Sequence, residues 1–184
     1  MPRYLFSLLT LYLIFFSFGA FAQMSPDESW VTNEYDAFRI DTPDSVGYTP
    51  QKIPTELGAV DFHVYYVQAK LNDDPNQIYT YGYADYPPNV VHSDSSSLVQ
   101  TFMDGSSQGA VQNLGGTLIS QHDIEFMGFP GREFEVQTQD GITLVHFKIL
   151  LVRNRFYILQ VITIAEEKKN PRLFHFLDSF QLAG

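Results

Sequence analysis

The chain lacks cysteine altogether, carries one tryptophan, and is poor in cations, with 11 Lys and Arg against 21 Asp and Glu. Without cysteine there is no disulfide framework, no thiol catalysis, no thiolate-bound zinc or iron–sulfur cluster, and no lipid-modified N-terminal cysteine. A formal net charge of −10 removes the cations needed to grip nucleic acid or an anionic lipid surface. No Asn-x-Ser/Thr sequon occurs, so nothing points to N-glycosylation. The five histidines form neither His-x-His nor His-x-x-x-His, so no metal site and no cofactor is expected from spacing. What the 184 residues do contain is a folding composition, with 15% aromatic and 17% charged residues.

The N-terminus reads as an export signal. Arg3 supplies a positive start, Tyr4 to Phe18 an apolar stretch, and Ala20-Phe21-Ala22 the small residues of a processing site. Residues 1–22 are therefore predicted to be removed. The alternative is a retained anchor, because Tyr4 to Ala22 is 19 residues, near the length that crosses a bilayer. Only Ser25, Pro26, Asp27 and Glu28 follow, with no stop-transfer cluster. The expected destination is the periplasm or the exterior of a bacterial cell, with no stable membrane insertion after cleavage. Residues 23–34 read as a flexible leader, and 35–184 as one domain.

Hydrophobic periodicity then sets the elements. Alternation predicts strands over Ala37–Asp41, Gly58–Val67, Gln77–Ala84, Thr117–Ser120 and Arg132–Val136. Ile142–Val152 and Arg155–Ile164 form a long hairpin closed at Arg153-Asn154, which sets Leu151 opposite Phe156, Ile149 opposite Ile158 and Phe147 opposite Gln160. One face of that hairpin is core; the other, with His146, Lys148, Arg155 and Tyr157, is expected to be only partly covered. Asp94–Leu114 reads as a helix, with an apolar stripe through Leu98, Phe102, Ser106, Ala110 and Leu114. Gly105 and Gly109 within it are tolerable if the helix presses closely onto a sheet. A second helix follows Asn170, a good N-cap, with Pro171 at its first position and Leu173, Phe176, Leu177 and Phe180 on one face.

The order strands, helix, strands, helix predicts an α+β fold, a central antiparallel sheet with helices packed on its faces. Four segments in order carry a resemblance. They are Asn113-Leu114-Gly115-Gly116, Gly128-Phe129-Pro130-Gly131-Arg132-Glu133-Phe134, Arg155-Phe156-Tyr157 and Phe176-Leu177-Asp178-Ser179-Phe180. From Tyr35 to Leu182 the chain resembles small exported bacterial proteins of the PsbP-like fold class, named for the extrinsic protein of photosystem II. A nuclear import factor that binds the Ran GTPase shares that fold. The resemblance implies an α/β/α sandwich, no established catalytic site, and accessory binding roles. It transfers no functional residue, because the matches fall on turn and core positions.

Site candidates come from side-chain pattern. Tyr79, Tyr81 and Tyr83 alternate and so share one strand face, with His63 and Tyr65 expected on the paired strand. Exposed, such a face suits recognition of sugars, peptides or protein surfaces; covered, it is core. Gly128, Pro130 and Gly131 are expected to form a turn, anchored by Arg132 through hydrogen bonds to carbonyls or a carboxylate. Arg132 and Glu133 point to opposite faces and cannot act on one substrate. Gly105-Ser106-Ser107-Gln108-Gly109 matches G-x-S-x-G, but inside a helical pattern and not on the strand–turn–helix elbow that such a nucleophile needs. The resulting expectation is an exported, non-enzymatic accessory or binding domain whose partner is a protein or small molecule of the cell envelope, not nucleic acid. The alternatives are a small envelope hydrolase using the Tyr/His face, or an anchored envelope protein if the signal is retained.

Overall fold

The computed structural model describes residues 30–55, 58–69 and 74–183. The predicted signal segment and the start of the leader lie outside the described residues. Ten strands and two helices follow in the order β1 (Val31–Glu34), β2 (Phe38–Thr42), β3 (Gly47–Thr55), β4 (Gly58–Gln68), β5 (Asn76–Asp85), α1 (Ser96–Leu114), β6 (Thr117–Phe126), β7 (Phe129–Gln137), β8 (Thr143–Val152), β9 (Arg155–Ile164), α2 (Pro171–Ser179) and β10 (Gln181–Leu182). Seven strands form one antiparallel sheet in the order β3-β4-β5-β9-β8-β7-β6, and β1-β2-β10 form a smaller one. The α+β class with a central antiparallel sheet is thus as the sequence predicts.

The β8–β9 hairpin forms in the predicted register, with Leu151 opposite Phe156, Ile149 opposite Ile158 and Phe147 opposite Gln160. Its core face, Val145, Phe147, Ile149, Leu151 and Phe156, packs beneath α1 with Met103, Phe134 and Val136. The opposite face is covered more completely than expected, apart from Val152 and Arg155 at the turn end. Leu144, Leu150, Tyr157, Leu159 and Val161 are all at most 3% exposed. The cover is α2 together with β2, through Leu173, Phe176, Phe180, Phe38 and Ile40. Continuous burial along β8 is the signature of a strand with both faces covered.

Part of that cover was read from sequence as leader. Residues 31–34 pair with β2 in register, Val31 with Thr42 and Glu34 with Arg39, and Trp30 packs against the core. A polar strand with no alternation is indistinguishable from a loose segment until its partner is known. The edge strand β3 is absent from the sequence pattern, and β6 runs past the predicted Thr117–Ser120, for the same reason. Pro50 and Pro54 interrupt β3, which an edge strand tolerates because one side needs no N–H donors. The residues of β6 are mostly exposed, so no apolar period marks them.

The helices form where expected. Asn170 caps α2, accepting a 2.9 Å bond from the Leu173 amide, and Pro171 is its first residue. In α1 the buried line is rotated toward Met103 and Ser107, leaving Leu98 47% exposed. Gly105 and Gly109 do not press onto the sheet. A Cβ added at either meets no atom within 4 Å.

The expected Gly128–Gly131 turn is displaced. Met127 and Gly128, both with positive φ, make a two-residue hairpin turn, while Pro130 and Gly131 are strand residues of β7. Gly131 is needed for packing: a Cβ there would stand 2.7 Å from the Ile149 carbonyl oxygen. Arg132 anchors no turn. Its guanidinium, in a residue 1% exposed, donates to Asp104 of α1 at 2.6 Å and to Asp123 of β6 at 2.7 Å. It thereby ties α1 to the far edge of the sheet, while Glu133 points to the opposite face and meets Lys148.

Two predictions follow from these placements. Arg132→Met should cost about 1–3 kcal/mol, because two carboxylates lose their charged donor, and thermal melting should fall by several degrees. Gly105→Ala with Gly109→Ala should instead raise stability by about 0.5–1 kcal/mol per site in denaturant titration, since helix propensity improves and nothing is displaced.

Candidate functional site

Alternation on β5 does place Tyr79, Tyr81 and Tyr83 on one face, and β4 sets His63 opposite Tyr83 and Tyr65 opposite Tyr81. The face is not uniformly open. Tyr79 and Tyr81 are 0% and 1% exposed, so neither can contact a partner. The physical reason is the cover of residues 30–42 and α2. Trp30 and Phe176 pack edge-on to Tyr79, and the Tyr35 hydroxyl meets that of Tyr81 at 2.6 Å. Tyr79 donates to the Asp74 carboxylate at 2.8 Å and accepts from Asn76 at 2.7 Å, a satisfied buried network. Burial pushes the hydroxyls of both tyrosines above their ordinary pKa.

Tyr83 lies at the margin of that cover, meeting Phe38 edge-on at 5.9 Å between centroids, and is half-buried. Its ring stacks on His63 at 4.6 Å between centroids and 18° between planes. His63 in turn stacks toward Tyr48 of β3 at 6.1 Å and 17°, and shares a 2.8 Å hydrogen bond between its Nδ1 and the Tyr48 hydroxyl. On the other side the Arg155 guanidinium lies 4.6 Å over the Tyr83 ring, held by Asp85 through two bonds of 2.6 and 2.7 Å. Four planar groups from four adjacent strands therefore form one continuous stack, Arg155–Tyr83–His63–Tyr48. A second row, Tyr48–Tyr65–Tyr81, runs beside it. Burial, then the neighbouring phenols, push the Tyr65 hydroxyl up to about 12. It stays neutral at ordinary pH.

This geometry limits what the surface can do. The inner ring faces are occupied by one another, so the surface presents mainly ring edges, phenolic hydroxyls and the imidazole rim, with Tyr48 at the open end of the stack on the edge strand. Tyr48, 50% exposed, is its most accessible member. Sequence pattern does not mark Tyr48, whose strand carries two prolines, and it places Arg155 on the hairpin's outer face without its partner Asp85.

Ser107 of the G-x-S-x-G match is 3% exposed, and its hydroxyl donates to the Met103 carbonyl at 3.1 Å inside α1. The other histidines are dispersed, each beside a different carboxylate: His92 with Asp94, His122 with Glu133, His146 with Glu135 and His175 with Asp41. Among the described residues no three His, Asp or Glu are placed to hold a metal ion. Also among the described residues, no helix is long and apolar enough to cross a membrane.

Comparison with solved structures decides the architecture. The chain superposes on cyanobacterial PsbP from Synechocystis with a TM-score of 0.52, covering 90% of this chain and 100% of that one at 12% identity. The chain has the PsbP-like fold. A protein of unknown function from Pseudomonas aeruginosa is also similar, at 13% identity over 75% of this chain and 85% of that one, with a TM-score of 0.42. No family model matches the sequence, and no curated protein is similar to it. At this identity the PsbP-like likeness is one of fold.

The division of the tyrosines into covered and open members is testable. Tyr81→Ala should cost about 3–5 kcal/mol, as for an aromatic removed from a core, whereas Tyr48→Ala should change stability by under about 1 kcal/mol. A pH effect arises on the same side of the sheet. Burial holds His146 below its ordinary 6.5, against the opposing pull of Glu135. The unfolded chain then binds the extra proton first, so stability should fall as pH drops below about 6.5 toward the lowered folded value. His146→Gln should flatten that part of the stability–pH curve, measured by denaturant titration.

Proposed function

We propose that this protein is an exported accessory module that binds a partner and performs no chemistry of its own. The observation that carries the reading is the cross-strand stack Arg155–Tyr83–His63–Tyr48, which fixes polar tips in a row at the edge of the core's cover. Pre-stacked rings lose little conformational freedom on binding, which favours recognition by a fixed surface. The partner is a protein or small molecule of the cell envelope that presents an extended run of hydrogen-bonding groups. Export rests on residues 1–22, whose charged start, apolar stretch and Ala20-x-Ala22 end suit signal processing. The PsbP-like fold is compatible with an accessory role. The buried Ser107 and the dispersed histidines support a site without a nucleophile–base pair.

The test is recovery of the exported protein from envelope extract with its partner, comparing the parent with Tyr48→Ala and His63→Ala. Partner recovery should drop by about ten-fold or more, a loss of about 1.4 kcal/mol, while melting stays near the parent value. Equal recovery by all three proteins would remove the stack from binding. Hydrolysis of ester, peptide or glycoside substrates, abolished by His63→Ala, would replace the module with an enzyme.

A further inference from the structure

The two non-glycine residues with left-handed backbone, Met127 at φ 51° and Arg153 at φ 56°, occupy neighbouring hairpin turns at one end of the large sheet. Such a conformation is disfavoured for any side chain with a Cβ, and glycine or asparagine ordinarily fills it. The β8–β9 turn is clamped there. The Arg153 carbonyl accepts from the Ser93 amide at 2.8 Å, the Asn154 carbonyl accepts from the Tyr86 amide at 2.9 Å, and the Asn154 side chain donates to the Tyr86 carbonyl at 2.7 Å. These bonds fix the backbone path, and glycine would follow it with less strain. An arginine stands there instead, exposed, and among the described residues no hydrogen bond or ion pair engages its guanidinium.

Beside it opens a pocket of about 330 Å³ between the two hairpin tips and β10. Its apolar lining includes Phe129, Val152, Tyr157 and Leu182, and its polar rim is Arg153, Asn154, Arg155 and Asp85. Arg155 is already neutralised by its two bonds to Asp85. Among the described residues, the free positive charge at this mouth is therefore that of Arg153. In a protein of net charge −10, an anion is repelled at long range and is held only where a cation stands beside a matching cavity.

We propose that this pocket binds a carboxylate carried on a small apolar body, with Arg153 pairing the carboxylate and Phe129, Val152 and Leu182 receiving the apolar group. Arginine is suited to the task because its planar fork matches a carboxylate with two parallel donors. The volume admits a group of about ten heavy atoms and lies at the low end of small-molecule sites. The same chemistry is presented by a free organic acid and by the C-terminal carboxylate of a peptide that ends in an apolar residue. This pocket is separate from the partner surface proposed above and meets it only at Arg155, so either can fail without the other.

The test is an NMR titration of the isolated protein with phenylacetate, its neutral analogue phenylacetamide, inorganic sulfate, and acetyl-glycyl-leucine as the free acid and as the amide. Saturable shifts of the Phe129, Val152 and Arg153 amides are expected with phenylacetate or with the peptide acid, and the tighter of the two identifies the source. Each amide should bind at least about ten-fold more weakly, because the paired charge is lost. Arg153→Gly should abolish binding while melting at least as high as the parent, since glycine relieves the backbone. Arg153→Gln, which keeps the strain and loses the charge, should abolish it too, and Arg153→Lys should retain a weaker share. Equal binding of acid and amide, shifts reproduced by sulfate, binding that survives Arg153→Gln, or no saturable shift with any probe would each overturn the proposal.

Discussion

Strand β8 is buried on both faces from Leu144 to Leu151, and the rest of the molecule is arranged around that requirement. A sheet whose central strands are apolar on both sides must be covered twice. The connection from β5 to β6 carries α1 over one face, which covers Val145, Phe147, Ile149 and Leu151. The other face needs a cover assembled from the two ends of the described chain, β1 and β2 from one and α2 and β10 from the other. These ends meet in the small sheet, where Gln181 pairs with Arg39 and Leu182 with Phe38. Terminal segments that would otherwise fray are fixed by the face they close.

Two-sided cover also sets the electrostatics. Lys148 lies inside the second cover at 7% exposure, where a lone ammonium would be costly. It donates to the Leu177 carbonyl near the end of α2 and sits 3.3 Å from Glu133. His146 beside it gains Glu135 and, more weakly, Glu133, against Lys168, and among the described residues its Nε2 has no hydrogen-bond partner, so burial outweighs the carboxylates and the ring favours its neutral form. On the first face Arg132 solves the same problem with Asp104 and Asp123, whose half-exposed carboxylates supply counter-charge without being fully desolvated themselves.

How far the sequence reached depends on where the information for each feature lies. The β8–β9 register could be read because a two-residue connection and a period of two leave one pairing that puts every apolar residue on the core. The start of α2 could be read because Asn170 and Pro171 act locally. The fate of the tyrosines could not. Alternation states that Tyr79, Tyr81 and Tyr83 share a face, but their exposure is set by Trp30, Tyr35 and Phe176, as many as 97 positions away. Arg132 was recognised as structural from its type and place, yet its partners lie on a helix and on an edge strand whose polar sequence carries no period. Tyr48 was invisible for the same reason as its strand.

The open surface is then a consequence of the cover's limited width. The small sheet and α2 reach across β9 and β5 as far as Tyr79 and Tyr81 and stop before β3. Beyond that line the same alternation that fills the core continues, and cover thins out: Tyr83 still meets Phe38 of β2 at 5.9 Å between centroids, His63 is half-buried and Tyr48 is exposed. Rings left in this way bury their faces most cheaply against each other, which is the arrangement found, at 4.6 and 6.1 Å between centroids. The PsbP-like sandwich thus divides a single strand between core and surface. Tyr81 of β5 is core, and Tyr83, two residues on, borders solvent. A substitution at Tyr48 or His63 would change that margin without touching the side chains packed on β8.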